Sequence, residues 1–310
     1  MSAGLPEDFE LSRPGRQDAA EVAALIVEME LAQEGEAETT PADIVREWET
    51  MDTDRDTWLV RKDGRLVAYG AIERQPRAVV TDGFVHPDFT DRGIGRLLVR
   101  ELESRAREIE PAGIVETGVS LRDSAGQMLL ESEGYCAARR FMRMIVELTE
   151  PPVVPEIPGV EVRNLASGEE RTFHAVFERS FFGAWGHVER SFEDWWLRMT
   201  EVGSGDPAML FVADRSGELV GEASCVPERF GGGWVGTLGV LPESRGQGIG
   251  KALLQRAFAS FWERGERRVA LAVDAENDTG AARLYESVGM RIAFGAIIYE
   301  KPLSTGTVGT

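Results

Sequence analysis

The pattern of hydrophobic and polar positions changes period between residues 230 and 265. The chain is apolar and β-branched from Trp234 to Leu241, which predicts a buried strand that ends at Pro242 because proline has no N–H for a sheet ladder. After Gly248 the apolar residues recur at helical spacing, which predicts a helix with Gly265 as its C-cap. This stripe consists of Ile249, Leu253, Leu254, Ala257, Phe258, Phe261 and Trp262. The pattern therefore predicts a strand, a glycine-containing loop and a helix in succession.

The first half of the chain has a similar succession. Its pattern predicts a β-hairpin whose turn is Lys62-Asp63-Gly64, because two alternating segments flank this turn. It also predicts strands at Phe9–Pro14, Trp58–Arg61, Arg65–Glu73, Val79–Val85, Ile114–Val119 and Arg139–Leu148, and helices at Asp18–Leu31, from Pro41, from Gly93 and at Ser124–Glu133. Strands and helices alternate as in a mixed α/β layer.

The two halves are a repeat with a constant offset. Pro87, Gly93 and Gly134 recur 155 positions later as Pro242, Gly248 and Gly289. The sequence therefore predicts two tandem α/β domains, each with a twisted mixed β-sheet flanked by helices. A proline-rich linker at residues 151–158 separates domain 1–150 from domain 159–310, with the boundary near residue 155.

The loop before the second-half helix, residues 245–250, has the composition of a phosphate-binding turn. Glycine lets backbone N–H groups approach a ligand at the positive end of the helix dipole. Counted from Gly246, the dinucleotide fingerprint needs a third glycine where Lys251 stands, and a P-loop needs Ser or Thr where Ala252 stands. We therefore expect a pyrophosphate site of another kind.

Two segments resemble the GNAT acetyltransferase superfamily. Arg245-x-x-Gly248-x-Gly250 after a strand is similar to its acyl-CoA pyrophosphate loop, and residues 277–285 followed by Gly289 resemble its second characteristic segment. The resemblance implies direct transfer of an acetyl group from acetyl-CoA to the amine of a small molecule, with no metal. It also implies that acetyl-CoA binds at Leu238, Gly239, Val240, Arg245, Gly246, Gln247, Gly248, Ile249, Gly250, Lys251 and Asn277.

The resemblance assigns the general acid but leaves the general base open. Tyr285 stands where the superfamily's acid protonates the departing thiolate, and an ordinary tyrosine pKa near ~10 keeps it protonated at neutral pH. In the mycothiol synthases, which are tandem members, a glutamate on the central strand is thought to be the base, but Trp234 stands there in this chain. Glu222 on the preceding strand is our candidate. The alternatives are Glu228, Asp274 and Glu276.

The two halves differ at the reactive positions. Thr90 stands in place of Arg245, Asp91 in place of Gly246 and Leu130 in place of Tyr285. We therefore expect a catalytically degenerate first domain and a catalytic second one, with mycothiol synthase-like activity as one alternative. The helical region before the first hairpin of the second domain covers the acceptor site in this superfamily. In this chain it contains aromatic residues that could shape a pocket, namely Phe181, Phe182, Trp185, Trp195 and Trp196, and acidic residues that could attract an amine, namely Glu189, Glu193 and Asp194.

Composition limits the partners. The net charge of −19 disfavours nucleic acid and anionic membranes, and no apolar run is long enough to span a bilayer. Two cysteines are too few for a disulfide framework, and the first residues do not resemble a signal segment, so we expect a cytoplasmic location. The sequence does not indicate the oligomeric state. A non-catalytic acyl-CoA-binding sensor or scaffold is the alternative function.

Overall fold

The computed structural model describes residues 8–199, 206–277 and 280–304 of the chain. The chain divides into two compact units: unit 1 comprises Met1–Phe141 and Phe294–Thr310, and unit 2 comprises Met142–Ala293. Each unit has a mixed β-sheet with helices, which confirms the predicted α/β class with two sheet-containing units.

Unit 1 contains most of the elements predicted in the first half. Its strands are β1 (Phe9–Ser12), β2 (Thr57–Lys62), β3 (Arg65–Arg74), β4 (Val79–Val85) and β5 (Ile114–Ser120). Its helices are α1 (Ala19–Glu34), α2 (Pro41–Trp48), α3 (Thr53–Asp56), α4 (Ile94–Ile109) and α5 (Ser124–Ser132). Strand β6 (Cys136–Glu147) begins in unit 1 and ends in unit 2.

Unit 2 repeats the order of strands and helices. Its strands are β7 (Glu161–Asn164), β8 (Leu210–Arg215), β9 (Glu218–Arg229), β10 (Gly232–Val240) and β11 (Arg268–Asp274), and its helices are α6 (Glu170–Phe181), α7 (Phe192–Leu197), α8 (Ile249–Glu263) and α9 (Ala281–Glu286). Strand β12 (Arg291–Pro302) closes the described chain. Strands β7 to β10 pair antiparallel, and β10 pairs with β11 in parallel.

The last strand of the chain belongs mainly to the sheet of unit 1. Residues 296–302 of β12 pair antiparallel with residues 114–120 of β5. Its side chains Ile297 and Tyr299 are buried with Leu303 in the core of unit 1. Met144 of β6 is correspondingly buried in the core of unit 2. The sequence predicted a boundary near residue 155, but in the structure unit 2 already begins at Met142. The end of the chain, from Phe294, groups with unit 1 rather than with unit 2.

Candidate active site

The loop that precedes α8 turns through two glycines in the left-handed region. Gly246 has φ +74° and Gly248 has φ +83°, conformations that side chains rarely adopt. Gly248 is the N-cap of α8 and, as a glycine, has no side chain to accept a hydrogen bond from the first turn of this helix. A Cβ at Gly246 would meet no heavy atom within 4 Å, so this side of the loop is open. The loop can therefore present backbone N–H donors to an anion.

Strands β10 and β11 part soon after they meet. Among the described residues, their register pairs are Gly233 with Val269 and Trp234 with Ala270. The other edge of β10 stays paired with β9 as far as Val240. Residues 238–240, predicted to bind acetyl-CoA, thus lie beyond the last pair with β11. The parting leaves an opening in the sheet of unit 2 where an extended ligand can contact the backbone.

Arg245 links the loop to two neighbouring segments. Its Nε donates to the carbonyl of Val240 at 3.0 Å, and its Nη2 donates to the carbonyl of Ser180, on α6, also at 3.0 Å. Its guanidinium therefore links β10 to α6 through these two hydrogen bonds. Because both bonds go to neutral carbonyls, its positive charge remains available for an anion.

The other predicted cofactor-binding residues differ in their surroundings. Gln247 accepts a hydrogen bond from Arg215 Nη2 at 2.6 Å, and Lys251 is exposed on the first turn of α8. Ile249 is buried in the core of unit 2, while a Cβ at Gly250 would come within 3.1 Å of Leu284 Cδ2. Ile249 and Gly250 therefore support the packing of α8.

The second characteristic segment is described in part. The backbone N–H of Asn277 donates to the carbonyl of Asp274 at 3.2 Å, which places Asn277 in a turn after β11. Asp278 and Thr279 lie outside the described residues. Helix α9 then begins after Gly280, which has φ +79°.

Glu222 is fully buried on β9, where it faces Gly239 across the ladder. Thr237 Oγ1 donates to its Oε2 at 2.8 Å. Burial raises the pKa of the Glu222 carboxyl to about 7, against the opposing effect of the hydrogen bonds from Thr237 and the Gly239 backbone. A carboxyl with this pKa exchanges protons near neutral pH, as a general base must.

Tyr285 is the second titratable group in this region. It lies on α9 with 8% of its surface exposed, in the core that includes α8. Burial raises the pKa of its phenol to about 12, and the negative charge of Glu222 adds to the rise. The structure thus brings the two predicted catalytic side chains within electrostatic reach of each other, with the phenol protonated at neutral pH.

The other carboxylates considered as bases have different surroundings. Glu228 is exposed and its backbone N–H donates to Glu266 Oε2 at 3.1 Å, six residues along β9 from Glu222. Asp274 Oδ1 accepts from the backbone of Glu276 at 2.9 Å, in the turn after β11. Glu222, by contrast, is fully buried beside Gly239 and contributes to the pKa of Tyr285.

Trp234, the residue at the expected base position, packs among aromatic and cationic groups. Phe230 contacts its ring edge-to-face at 5.5 Å, and the guanidinium of Arg143 lies 4.6 Å from its centroid. Trp234 has no group that can accept a proton at neutral pH, so it does not replace the carboxylate.

The aromatic residues predicted near the acceptor site lie partly in the core and partly on the surface. Trp195 is buried against Phe173 of α6, and Phe181 packs on Phe177 at 5.0 Å. Phe182, by contrast, is 85% exposed immediately after α6. Core packing therefore explains Trp195, while Phe182 leaves an aromatic surface beside this end of α6.

The acidic residues proposed to attract an amine are partly paired. Glu193 Oε1 lies 2.7 Å from Arg171 Nη2, and Asp194 Oδ1 lies 3.7 Å from Arg198 Nε. Glu189 is exposed. Because paired charges attract a distant cation less, Glu193 and Asp194 give little support to an amine-steering role.

Unit 1 has aromatic residues at the positions that correspond to Glu222 and Gly239. Tyr69 pairs with Phe84 in the β3–β4 ladder, as Glu222 pairs with Gly239 in the β9–β10 ladder. The two rings stack with centroids 6.2 Å apart, and Trp48 Nε1 donates to the Tyr69 hydroxyl at 2.9 Å. Unit 1 therefore has a packed cluster where unit 2 has a buried carboxylate beside a glycine.

Two broader features concern the described residues as a set. Within residues 8–199, 206–277 and 280–304, no helix combines the length and apolar character needed to cross a membrane. The same ranges contain no group of three or more His, Cys, Asp or Glu side chains arranged to hold a metal ion.

Comparison with known proteins agrees with this geometry. The profile of the acetyltransferase (GNAT) family matches residues 23–125 and 171–290. A mycothiol acetyltransferase of Thermobispora bispora is 36% identical over 66% of this chain and 70% of its own, and one of Thermomonospora curvata is 32% identical over 79% and 82%. The crystal structure of a GCN5-related N-acetyltransferase from Sphaerobacter thermophilus superposes with a TM-score of 0.87, at 32% identity, over 97% of this chain and 98% of that one.

The chain belongs to the GNAT acetyltransferase family. Because the profile matches one region in each half, it is a tandem member that resembles the mycothiol acetyltransferases, as the sequence resemblance indicated. Its class of activity is that of an acetyltransferase.

Proposed function

We propose that the chain is an acetyl-CoA-dependent N-acetyltransferase that acetylates the amine of a small molecule, with unit 2 as the catalytic unit. The observation that carries the proposal is the fully buried Glu222 carboxyl opposite Gly239, beside the point where β10 parts from β11. Unit 1 has the stacked Tyr69 and Phe84 at the positions of Glu222 and Gly239, which supports the assignment of catalysis to unit 2.

The residues of unit 2 fit an acyl-CoA. The glycine turn at Gly246 and Gly248, which is open at Gly246, suits a pyrophosphate, with Arg245 and Lys251 to add positive charge. The parted edge of β10 suits an extended, amide-containing chain. When bound, acetyl-CoA supplies the activated acetyl group.

In this proposal Glu222 is the general base. Its pKa of about 7 makes it a stronger base than an ordinary glutamate, and the carboxylate form is substantially populated at neutral pH. It takes a proton from the ammonium form of the acceptor, so that the nitrogen lone pair becomes available for attack.

Tyr285 is the general acid, and the state of Glu222 influences it. The negative charge of Glu222 opposes ionisation of the phenol. Once Glu222 has accepted a proton, this charge is gone and the phenol donates its proton to the leaving sulfur more readily. Proton uptake by Glu222 therefore comes first and favours the later proton donation by Tyr285.

The test is a panel of primary amines assayed for release of free CoA, together with calorimetry of acetyl-CoA binding. We expect turnover of at least one amine by the full chain and loss of turnover in Glu222→Gln. Glu228→Gln is the matched control, since it changes an exposed carboxylate on the same strand. Binding of acetyl-CoA without turnover of any amine would favour a sensor or scaffold.

A further inference from the structure

Two buried polar atoms near the site have no hydrogen-bond partner among the described residues. They are Glu222 Oε1 and Ser180 Oγ. Buried polar atoms are nearly always paired in folded proteins, because an unpaired one loses the hydrogen bonds it would make to water. The Gly239 backbone N–H acts on the Glu222 carboxyl without a hydrogen bond of normal geometry to Oε1, so both oxygens keep the capacity to accept a hydrogen bond from a bound ligand.

Both atoms lie close to Gly239. A Cβ built on Gly239 would be 2.6 Å from Glu222 Oε1 and 3.1 Å from Ser180 Oγ. The two oxygens thus approach a common point from different elements, β9 and α6. The two oxygens are therefore no more than 5.7 Å apart, a separation that a single donor group placed between them can span with a hydrogen bond to each.

The backbone of Ser180 is held in place from the other side of the site. Its carbonyl accepts the hydrogen bond from Arg245 Nη2, at 3.0 Å. The same guanidinium binds the carbonyl of Val240, the residue after Gly239. The loop assigned to the pyrophosphate therefore fixes the end of α6 that carries the serine.

We propose that Ser180 is an acceptor-binding residue, whose Oγ and Glu222 Oε1 together hold the nucleophilic nitrogen of a primary amine. This inference rests on the proposed function. A primary ammonium has three N–H donors, and these two oxygens accept two of them. Proton transfer then breaks one N–H bond and forms the Oε1–H bond, which leaves a neutral amine that still donates to Ser180. That remaining bond orients the lone pair.

The first test does not require turnover. Crystals of the full chain are soaked with methylammonium chloride, in wild type and in Ser180→Ala. We expect the nitrogen within hydrogen-bond distance of both oxygens in wild type, and its loss or displacement in the variant. A wild-type structure in which Ser180 Oγ turns to a helix carbonyl, with nothing between it and Glu222, would overturn the proposal.

The second test uses the primary amine that wild type turns over fastest in the panel. Ser180→Ala should raise KM for the amine by about 10-fold or more, since one hydrogen bond to a charged group is lost, with acetyl-CoA affinity unchanged. Ser260→Ala, a buried serine on α8, is the control and should behave as wild type. Unchanged amine KM in Ser180→Ala would contradict the role of the serine. A panel without turnover would instead contradict the proposed function, and the soaked crystals would still decide this inference.

Discussion

Gly239 lies directly opposite Glu222 in the β9–β10 ladder, so close that a Cβ there would come within 2.6 Å of the carboxylate Oε1. The contact explains why the position needs glycine although it lies within a strand, where glycine is normally unfavourable. It also means that the space beside the buried carboxylate depends on a missing side chain.

The first prediction is that Gly239→Ala lowers the free energy of unfolding by about 1–3 kcal/mol, because the added methyl overpacks a buried region. Turnover should fall as well, since Glu222 must move. Denaturant unfolding followed by circular dichroism measures the stability. The control is Gly236→Ala on the same strand, whose Cβ would meet Ser224 Oγ at 3.3 Å. Equal stability and activity in the two variants would show that the Gly239 contact is unimportant.

The second prediction concerns the dependence of stability on pH. The pKa of Glu222 is raised from 4.5 to about 7, so the folded state holds this proton more tightly than the unfolded state. Its contribution to stability is present in full below the unfolded pKa and is lost as pH rises to the folded pKa. The loss amounts to about 3 kcal/mol.

Glu222→Gln removes this titration, because glutamine is neutral at every pH. Between about pH 5 and about pH 8 its free energy of unfolding should therefore fall less than that of wild type. Denaturant midpoints at the two pH values give the comparison, with Glu228→Gln as the control. Parallel pH dependences for wild type and Glu222→Gln would exclude a raised pKa at this residue.

Local periodicity predicted much of unit 2 around the loop. The strand expected at Trp234–Leu241 is β10, residues 232–240, and the expected helix after Gly248 is α8, which begins at Ile249. These boundaries could be predicted because Pro242 and Gly248 act locally: one lacks a backbone N–H, and the other adopts a positive φ. The two predicted titratable residues, Glu222 and Tyr285, are also close enough to interact.

Long-range pairing could not be predicted in the same way. Alternation along a strand does not specify its partner, so the grouping of β12 with unit 1 was not foreseen. The facing of Glu222 and Gly239 depends on a register shift between Val235 and Thr237 that has no local signal. Ser180 was missed because an isolated serine on an amphipathic helix has no distinguishing pattern.

The third prediction compares two glycines with nearly the same conformation. Gly248 and Gly93 have φ of +83° and +81°, so aspartate causes similar backbone strain at either position. Gly248→Asp should abolish acetyl-CoA binding by placing a negative charge at the proposed phosphate site, with contact to Ile157 as a smaller effect. Gly93→Asp should leave turnover nearly unchanged. Calorimetry measures acetyl-CoA binding and CoA release measures turnover in both variants. Loss of turnover in a folded Gly93→Asp variant would show that the assignment of catalysis to unit 2 is wrong.

The last prediction is that Tyr285→Phe lowers kcat by about 10²-fold or more while acetyl-CoA affinity stays the same, because the ring and its packing remain and only the donor is lost. Burial is the main cause of the phenol pKa of about 12 and the charge of Glu222 adds to it, so neutralisation of Glu222 makes donation to the thiolate less unfavourable, and the donor matters in the chemical step. Single-turnover kinetics isolate that step from product release. Tyr299→Phe is the matched control, since it also removes a hydroxyl from a buried tyrosine, one that donates to Glu131 in unit 1. A wild-type chemical rate in Tyr285→Phe would mean that water or another group protonates the leaving sulfur.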